Sequence, residues 1–230
     1  MAKKKVPLEK DYYPLVKRWL LRHFRCFKAE TNKGLKYGRI DVIGIRDIGG
    51  DFSGEVETIA VEVKRGITPF ANACGQTLGY RVFANRVYLA DSRTLPFNQD
   101  EIFIANNLGI GLIQIKNNKC HEILSSPFYQ SIPKMRMRLF EALRLGKCQL
   151  CESIFEIGKD GGNKYSELAK ENVKRAIATG KGMVFWNREV AARKRKAGIA
   201  RNKEDVRTWE RRFLCGECVE VMLKPLQVTS

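Results

Sequence analysis

The sequence has few histidines and no glycine-rich phosphate loop. It contains two histidines in 230 residues, His23 and His121, and neither lies in a pattern that pairs it with a nucleophile. Hydrolysis through a histidine–metal site or a serine triad is therefore not expected. The G-x-x-x-x-G-K-[ST] loop that binds phosphates in ATP-driven motors is also missing, which argues against such a motor.

Long apolar runs are missing as well. No stretch is long and apolar enough to span a membrane, and no lipidation motif is visible. The start, Met1-Ala2-Lys3-Lys4-Lys5, lacks the apolar segment of a secretory signal. We therefore expect an intracellular, cytoplasmic protein with no membrane partner, associated with the nucleoid if it acts on DNA.

Two carboxylates and a lysine lie on neighbouring predicted strands. Side chains alternate between faces along Thr58–Lys64, so Glu62 and Lys64 share one face and the apolar residues share the other. The run Arg39–Ile45 is a second apolar strand, interrupted by Asp41. Two carboxylates on rigid strands can bind a divalent cation and leave positions for water and a phosphate. The lysine can orient that water or neutralise charge on the phosphoryl oxygens.

A known family shares this arrangement. Gly38-Arg39-Ile40-Asp41, Glu62-Val63-Lys64 and Gln76-x-x-x-Tyr80 on the following helix together resemble the PD-(D/E)xK nuclease superfamily, which includes many restriction endonucleases. The resemblance covers about the first half of the chain, and Ile40 stands where the family nominally has proline. It implies a restriction-endonuclease-like α/β fold, with an αβββαβ core and a mixed central sheet. It also implies a Mg²⁺- or Mn²⁺-dependent endonuclease that cleaves DNA, with these site residues: Asp41, Glu62, Lys64, Gln76, Tyr80 and Glu30.

The resemblance also implies roles for these residues. Asp41, Glu62 and the backbone carbonyl of Val63 would bind the metal. Gln76 and Tyr80 would contact the substrate or steady the lysine, although the alternative is a helix surface that merely packs near the sheet.

Many family members add an acid from the first helix or first strand. Glu9 and Glu30 are the candidates here, and Glu30 is preferred because its strand neighbours the Asp41 strand.

The order of predicted elements agrees with that core. Apolar spacing, caps and turn residues indicate an αβββαβαβ order with one further strand at its end. The predicted elements are a helix over Glu9–Phe24, a strand over Cys26–Thr31, the Asp41 and Glu62 strands, a helix from a Thr68-Pro69 cap to about Asn85, a strand over Arg86–Ala90, a helix from Asn98 to Gly109, and strands over Ile110–Ile115 and Cys120–Leu124.

Four of the seven cysteines form two pairs, Cys148-x-x-Cys151 and Cys215-x-x-Cys218. Two such knuckles can supply the four thiolates of a tetrahedral zinc site, although the gap between them is far longer than the usual ~15–20 residues. A redox role needs only one pair, so structural Zn²⁺ is the favoured interpretation. The remaining cysteines fall in apolar stretches and are expected to be buried: Cys26, Cys74 and Cys120.

The charge balance indicates a polyanionic partner. The chain carries 42 Lys and Arg against 25 Asp and Glu, a net charge of +17. Basic runs are usually solvated faces and sometimes localisation signals, but beside a nuclease core we expect phosphate-backbone binding, most simply to DNA. The candidate contacts between the knuckles are Arg193, Lys194, Arg195, Lys196, Arg201 and Lys203.

We expect three segments. They are a nuclease-like core over residues 1–130, a basic linker helix over 131–147, and a mainly helical zinc-binding module over 148–230. A homodimer is compatible with this organisation, because many relatives cut both strands as dimers. The alternatives are a nuclease fold that binds nucleic acid without cutting it, and an assembly factor whose zinc module contacts another protein.

Overall fold

The computed structural model describes residues 7–35, 38–48, 55–148, 151–156, 163–164 and 213–215. The chain divides into two compact units, Met1–Gly50 with Glu55–Leu143, and Asp51–Gly54 with Arg144–Ser230. The described elements of the first unit are α1 (Glu9–His23), β1 (Lys28–Leu35), β2 (Gly38–Asp47), β3 (Val56–Lys64), α2 (Phe70–Gly79), β4 (Arg86–Ser92), α3 (Gln99–Leu108), β5 (Gly111–Lys116), β6 (Lys119–Leu124) and α4 (Pro133–Ala142). Those of the second unit are β7 (Leu145–Lys147), β8 (Ile154–Glu156), β9 (Asn163–Lys164) and β10 (Phe213–Leu214).

The first unit is built on a six-stranded mixed sheet with the order β1-β2-β3-β4-β5-β6. The pairs β1–β2, β2–β3 and β5–β6 are antiparallel, whereas β3–β4 and β4–β5 are parallel. Parallel neighbours require crossover connections, and α2 and α3 lie in them. The predicted mixed α/β fold is confirmed at this level. The helix predicted as a linker, α4, belongs to the first unit.

Helix α1 covers one face of the sheet with its apolar side. Val16 and Leu20 are fully buried and pack in one cluster with Val42, Val61 and Val63. This is the apolar face that the alternation of β3 predicts. The close approach of α1 and of the segment that follows it explains a glycine on β2, because a Cβ on Gly44 would lie 2.7 Å from Cys26 Sγ and 3.3 Å from Leu20 Cδ1 of α1.

Helix α3 begins and ends as predicted. Asn98 Oδ1 accepts a hydrogen bond from the Glu101 N–H at 2.8 Å, and Glu101 Oε2 accepts one from the Asn98 N–H at 2.8 Å. This reciprocal pair is a capping box. Gly109 ends the helix with a φ of +63°, a left-handed conformation that glycine adopts without steric cost.

Helix α2 is shorter than predicted. Its cap residue is Pro69 rather than Thr68, and the helix ends at Gly79, where a 3-10 turn over Tyr80–Val82 follows. Asn85, the predicted helix end, is instead bound to β3. Its N–H donates to the Thr58 carbonyl at 2.9 Å, and its Oδ1 accepts from the Thr58 N–H at 3.0 Å. Because these bonds hold Asn85 beside β3, the helix ends before Asn85, and β4 begins at Arg86.

None of the described helices is both long and apolar enough to cross a membrane.

The partly buried side of β6 is connected to α1 and β4 through Glu122. Its carboxylate accepts hydrogen bonds from Tyr88 OH at 2.9 Å and Ser125 Oγ at 2.8 Å, and it lies 2.8 Å from His23 Nε2. Partial burial acts to raise the pKa of Glu122, but these hydrogen bonds outweigh it and hold the pKa below the ordinary carboxyl value.

We expect Glu122→Gln to lower the free energy of unfolding by about 1 kcal/mol at neutral pH, because the charged acceptor of these bonds is lost. A carboxylate whose folded pKa is lowered stabilises the fold above its unfolded pKa, and this stabilisation is lost as pH falls through the folded pKa. The difference from the parent should therefore shrink at acid pH. Denaturant unfolding across pH would measure it.

A matched control is Glu30→Gln, because Glu30 forms only a 3.7 Å ion pair with Lys17 near the surface. Such pairs contribute little, so this variant should unfold like the parent. If the free energy of unfolding of Glu122→Gln differed from that of the parent by the same amount at every pH, the electrostatic explanation would be contradicted.

Candidate functional site

The register of β2 and β3 places the two predicted carboxylates side by side. The strands are antiparallel with Val42 opposite Val61, so Asp41 and Glu62 are the next residues along each strand. Lys64 lies two residues beyond Glu62 and on the same face. The acid–lysine cluster, defined as Glu9, Asp41, Glu62 and Lys64, therefore follows from strand pairing and period-two alternation, with Glu9 added by α1.

Both oxygens of Asp41 accept hydrogen bonds. Oδ1 accepts from Tyr13 OH of α1 at 2.5 Å, and Oδ2 accepts from the backbone N–H of Val63 at 2.9 Å. Because a carboxylate oxygen can accept more than one bond, each oxygen retains capacity for a further ligand. Asp41 is thus held by both a helix and the neighbouring strand.

Glu62 is held just as firmly and is only 4% exposed. Its Oε1 lies 2.6 Å from Lys64 Nζ, and its Oε2 accepts a hydrogen bond from Tyr80 OH. The Tyr80 hydroxyl also lies 2.8 Å from the Arg39 carbonyl oxygen. On the other side, Lys64 Nζ lies 3.8 Å from Glu9 Oε1.

The electrostatics follow from burial and crowding. Burial and then the Asp41 charge raise the pKa of Glu62, against the opposing effects of Lys64 and Tyr80. Burial acts to lower the pKa of Lys64, but the hydrogen bond and charge of Glu62, with smaller effects of Glu9 and Asp41, raise it overall. Lys64 is therefore an ammonium ion at neutral pH.

The two tyrosines remain protonated. Burial and the nearby carboxylates raise the pKa of both Tyr13 and Tyr80 above the ordinary tyrosine value. Each hydroxyl thus stays a hydrogen-bond donor, Tyr13 to Asp41 and Tyr80 to Glu62.

Asp41 and Glu62 offer the kind of donor that a divalent cation prefers, but the carboxylate oxygens of Glu9, Asp41 and Glu62 do not all lie within 4.8 Å of one another, so Glu9 is not a third ligand. Three carboxylates face one ammonium group, so the cluster has an excess of negative charge when its acids are ionised. Their oxygens are the hard ligands that Mg²⁺ and Mn²⁺ prefer. Burial first and the Asp41 charge second raise the pKa of Glu62, and a bound cation would favour its ionised form against both.

The structure brings some predicted residues together and leaves others apart. Glu62, Lys64 and Tyr80 are connected by the contacts above, and Asp41 lies beside them through the strand register and its bond to the Val63 N–H. Gln76 is exposed on α2, whereas Tyr80 is buried in the 3-10 turn that follows it. The two residues do not share one environment, because the helix ends between them.

The first-helix acid, and not the first-strand acid, reaches the cluster. Glu30 lies on β1 and pairs with Lys17, whereas Glu9 approaches Lys64. The preference for Glu30 is therefore not supported by the contacts. Tyr13 had no sequence signal of its own, although it lies four residues after Glu9 on one face of α1.

The second unit brings three of the four predicted zinc ligands together. Cys148 follows β7 and Cys151 precedes β8, and the two strands form an antiparallel pair. The Sγ atoms of Cys148, Cys151 and Cys215 all lie within 4.8 Å of one another, with 3.6 Å between those of Cys151 and Cys215. Four sulfurs about 2.3 Å from a tetrahedral zinc are about 3.8 Å apart, so this spacing fits the ion. Cys218 lies outside the described residues.

The local backbone produces this knuckle. The Cys148 N–H donates to the Ser153 carbonyl at 2.8 Å, which closes the turn, and Glu152 has a left-handed φ of +63°. Burial acts to raise the pKa of Cys151, but hydrogen bonds with Ser153, Cys148 and Cys215 lower it to about 6. The thiolate is the form that binds a metal.

The predicted nucleic-acid contacts in the second unit, Arg193, Lys194, Arg195, Lys196, Arg201 and Lys203, lie outside the described residues.

Comparisons with known proteins add little about function. No protein-family model matches the chain, and a search of curated proteins gives no match. A similar solved structure is a protein of unknown function from Silicibacter pomeroyi. The two sequences are 16% identical. The match spans 80% of this chain and 100% of the Silicibacter chain, with a TM-score of 0.44. That neighbour therefore assigns no activity to this chain.

Proposed function

We propose that this protein is a metal-dependent nuclease that hydrolyses phosphodiester bonds in DNA, most simply as an endonuclease. The observation that carries the proposal is the convergence of Asp41, Glu62 and Lys64 from two neighbouring strands. A buried carboxylate beside a second acid and a lysine is costly for folding, and such arrangements are concentrated at functional sites.

The order of elements supports the same proposal. From α1 to β4 the chain reads αβββαβ, the core order that the PD-(D/E)xK resemblance implies. The second strand carries Asp41 and the third carries Glu62 and Lys64. A restriction-endonuclease-like fold is accordingly part of the proposal.

Metal binding would fall to the carboxylates of Asp41 and Glu62, with the backbone carbonyl of Val63 as a further ligand. Bound Mg²⁺ or Mn²⁺ would supply Lewis-acid polarisation of a phosphate oxygen and a more acidic water. Tyr13 and Tyr80 hold the two carboxylates in place through their hydroxyls.

Lys64 contributes charge rather than basicity. Because Glu62 raises its pKa, it is an ammonium group at neutral pH. Its ammonium group can orient the attacking water and neutralise charge that develops on the phosphoryl oxygens. Glu9 helps to keep this group charged and in place.

The cysteine cluster would be a structural site. We propose that Cys148, Cys151 and Cys215 bind Zn²⁺ together with Cys218. Four thiolates fill a tetrahedral ion and leave no position for water, so the site would stabilise the second unit and not catalyse. The basic run between the knuckles would then bind the phosphate backbone of DNA.

The test is a cleavage assay on the full chain. Plasmid, linear, single-stranded and branched DNA, with RNA for comparison, would be incubated with Mg²⁺, with Mn²⁺ or with EDTA. We expect cleavage of at least one DNA with a metal and none in EDTA. Failure to cut any substrate, or equal cutting in EDTA, would contradict the proposal and favour a binding protein with a nuclease fold.

A further inference from the structure

A groove of about 560 Å³ lies between α1 and the turn that joins β5 to β6. It is separate from the contacts of the acid–lysine cluster. Its lining includes Arg18, Trp19, Arg22, His23, Lys119 and His121.

The groove carries positive charge without local compensation. Arg18, Arg22 and Lys119 are exposed, and none forms an ion pair with a described residue. No acidic side chain lines it among the described residues. The neighbouring Glu122 is occupied by its bonds to Tyr88, Ser125 and His23. A concave surface with one sign of charge concentrates the opposite charge, so the groove suits a polyanion.

An aromatic pair adds a flat surface. The rings of Trp19 and His23 are stacked, with 4.4 Å between centroids and 13° between planes. Trp19 is only partly buried, and both rings line the groove. Cationic side chains beside aromatic rings are typical of single-stranded nucleic-acid binding, in which phosphates meet the charges and bases stack on the rings.

The groove opens near the edge of the sheet that carries Lys64. Strands β3, β4 and β5 are parallel, with Lys64 beside Asp91 and Asp91 beside Gln114, so the β5–β6 turn follows at the same edge. Three strand spacings separate β3 from β6, or about 14 Å. Glu62 and Lys64 lie on the face opposite α1, whereas the groove lies on the α1 side, so a nucleic-acid strand would reach it by passing over the edge of the sheet where Glu9 of α1 approaches Lys64.

We propose that this groove binds a nucleic-acid strand that continues from the acid–lysine cluster, about 14 Å away across the sheet. Arg18, Arg22 and Lys119 contact its phosphates, and the Trp19–His23 pair contacts a base. The identity of the polyanion rests on the proposed function, but binding here does not require cleavage.

The test measures binding in EDTA, where metal-dependent cleavage is not expected. The probe is a fluorescent single-stranded 20-nucleotide DNA, titrated with the full chain at several salt concentrations. The variant is Arg18→Gln with Arg22→Gln, since glutamine keeps helix propensity and removes two charges. The control is Lys33→Gln with Lys134→Gln, which removes two exposed charges from β1, at the opposite edge of the sheet, and from α4, which contacts β1.

We expect the groove variant to bind about tenfold more weakly, since two exposed ion pairs are lost. Its salt dependence should fall by ~1.4 in log–log slope, at ~0.7 per phosphate contact with a single strand. The control should bind within about twofold of the parent. If DNA binding were weakened equally in both variants, or in neither, the proposal that the groove binds the strand would be overturned.

The groove and the nuclease proposal can fail separately. If the parent cuts no substrate but only the groove variant binds DNA more weakly, the groove proposal is supported and the nuclease proposal is overturned. A chain that cuts DNA while both variants bind alike supports the nuclease and overturns the groove.

Discussion

Replacing Asp41 with asparagine should lower the rate of metal-dependent cleavage at least about 10³-fold. Asparagine keeps the shape of the side chain. Its carbonyl can accept from the Val63 N–H and its amide can donate to the Tyr13 hydroxyl oxygen, so both contacts survive. The negative charge that would bind the cation is lost. A metal that contributes several kcal/mol to transition-state stabilisation corresponds to a rate loss of this size.

The assay compares single-turnover cleavage, thermal unfolding and DNA binding in EDTA for each variant. Asp100→Asn is the matched control, because Asp100 is an exposed residue of α3 and the chemical change is identical. The control should cut like the parent. Asp41→Asn should melt and bind like the parent but fail to cut, and full activity in this variant would falsify the assignment of Asp41.

Lys64→Met tests the lysine in the same assay but has a second consequence. Methionine fills similar volume without charge, and it leaves the buried carboxylate of Glu62 without the ammonium group 2.6 Å away. Loss of one member of a buried ion pair typically costs ~3–5 kcal/mol. Unfolding must therefore be measured beside cleavage, so that loss of activity is not confused with loss of fold.

The sequence predicted the centre of this site for a specific physical reason. Side chains alternate along a strand, so the face shared by Glu62 and Lys64 could be assigned from β3 alone. An apolar strand interrupted by one acid pointed to Asp41. Antiparallel pairing of Val42 with Val61 then places these carboxylates together. The mixed sheet followed from strands separated by helical segments.

The surroundings of the site were less predictable, because they depend on tertiary contacts. Helix α2 has no local stop signal strong enough to end it at Gly79, and the bonds between Asn85 and Thr58 decide where β4 begins. Similarly, the path of α1 across the sheet decides that Glu9 reaches Lys64 and that Glu30 pairs with Lys17. Helical or strand periodicity gives a face but not the crossing angle that brings one acid to the cluster.

Replacing Cys215 with serine should release zinc from the second unit and destabilise it. The described knuckle places Cys148 and Cys151 on one hairpin, and Cys215, which follows β10, is the third proposed ligand. Structural zinc sites bind with ~10–16 kcal/mol, so one of four ligands contributes about 2.5–4 kcal/mol. Losing it corresponds to a ~10²–10³-fold weaker affinity for zinc.

Elemental analysis after dialysis against a mild chelator would measure this loss. The parent should retain about one zinc per chain, as expected for one four-thiolate site. Cys215→Ser and Cys218→Ser should both lose most of it, whereas Cys120→Ser, a cysteine of β6 in the first unit, should not. Because a closed four-thiolate ion binds no substrate, the zinc-free variants should still cleave DNA through the acid–lysine cluster, with weaker binding where the basic run between the knuckles contributes. Zinc retained by Cys215→Ser, or a parent that binds none, would contradict the metal assignment and make a thiol role for the cluster the better explanation.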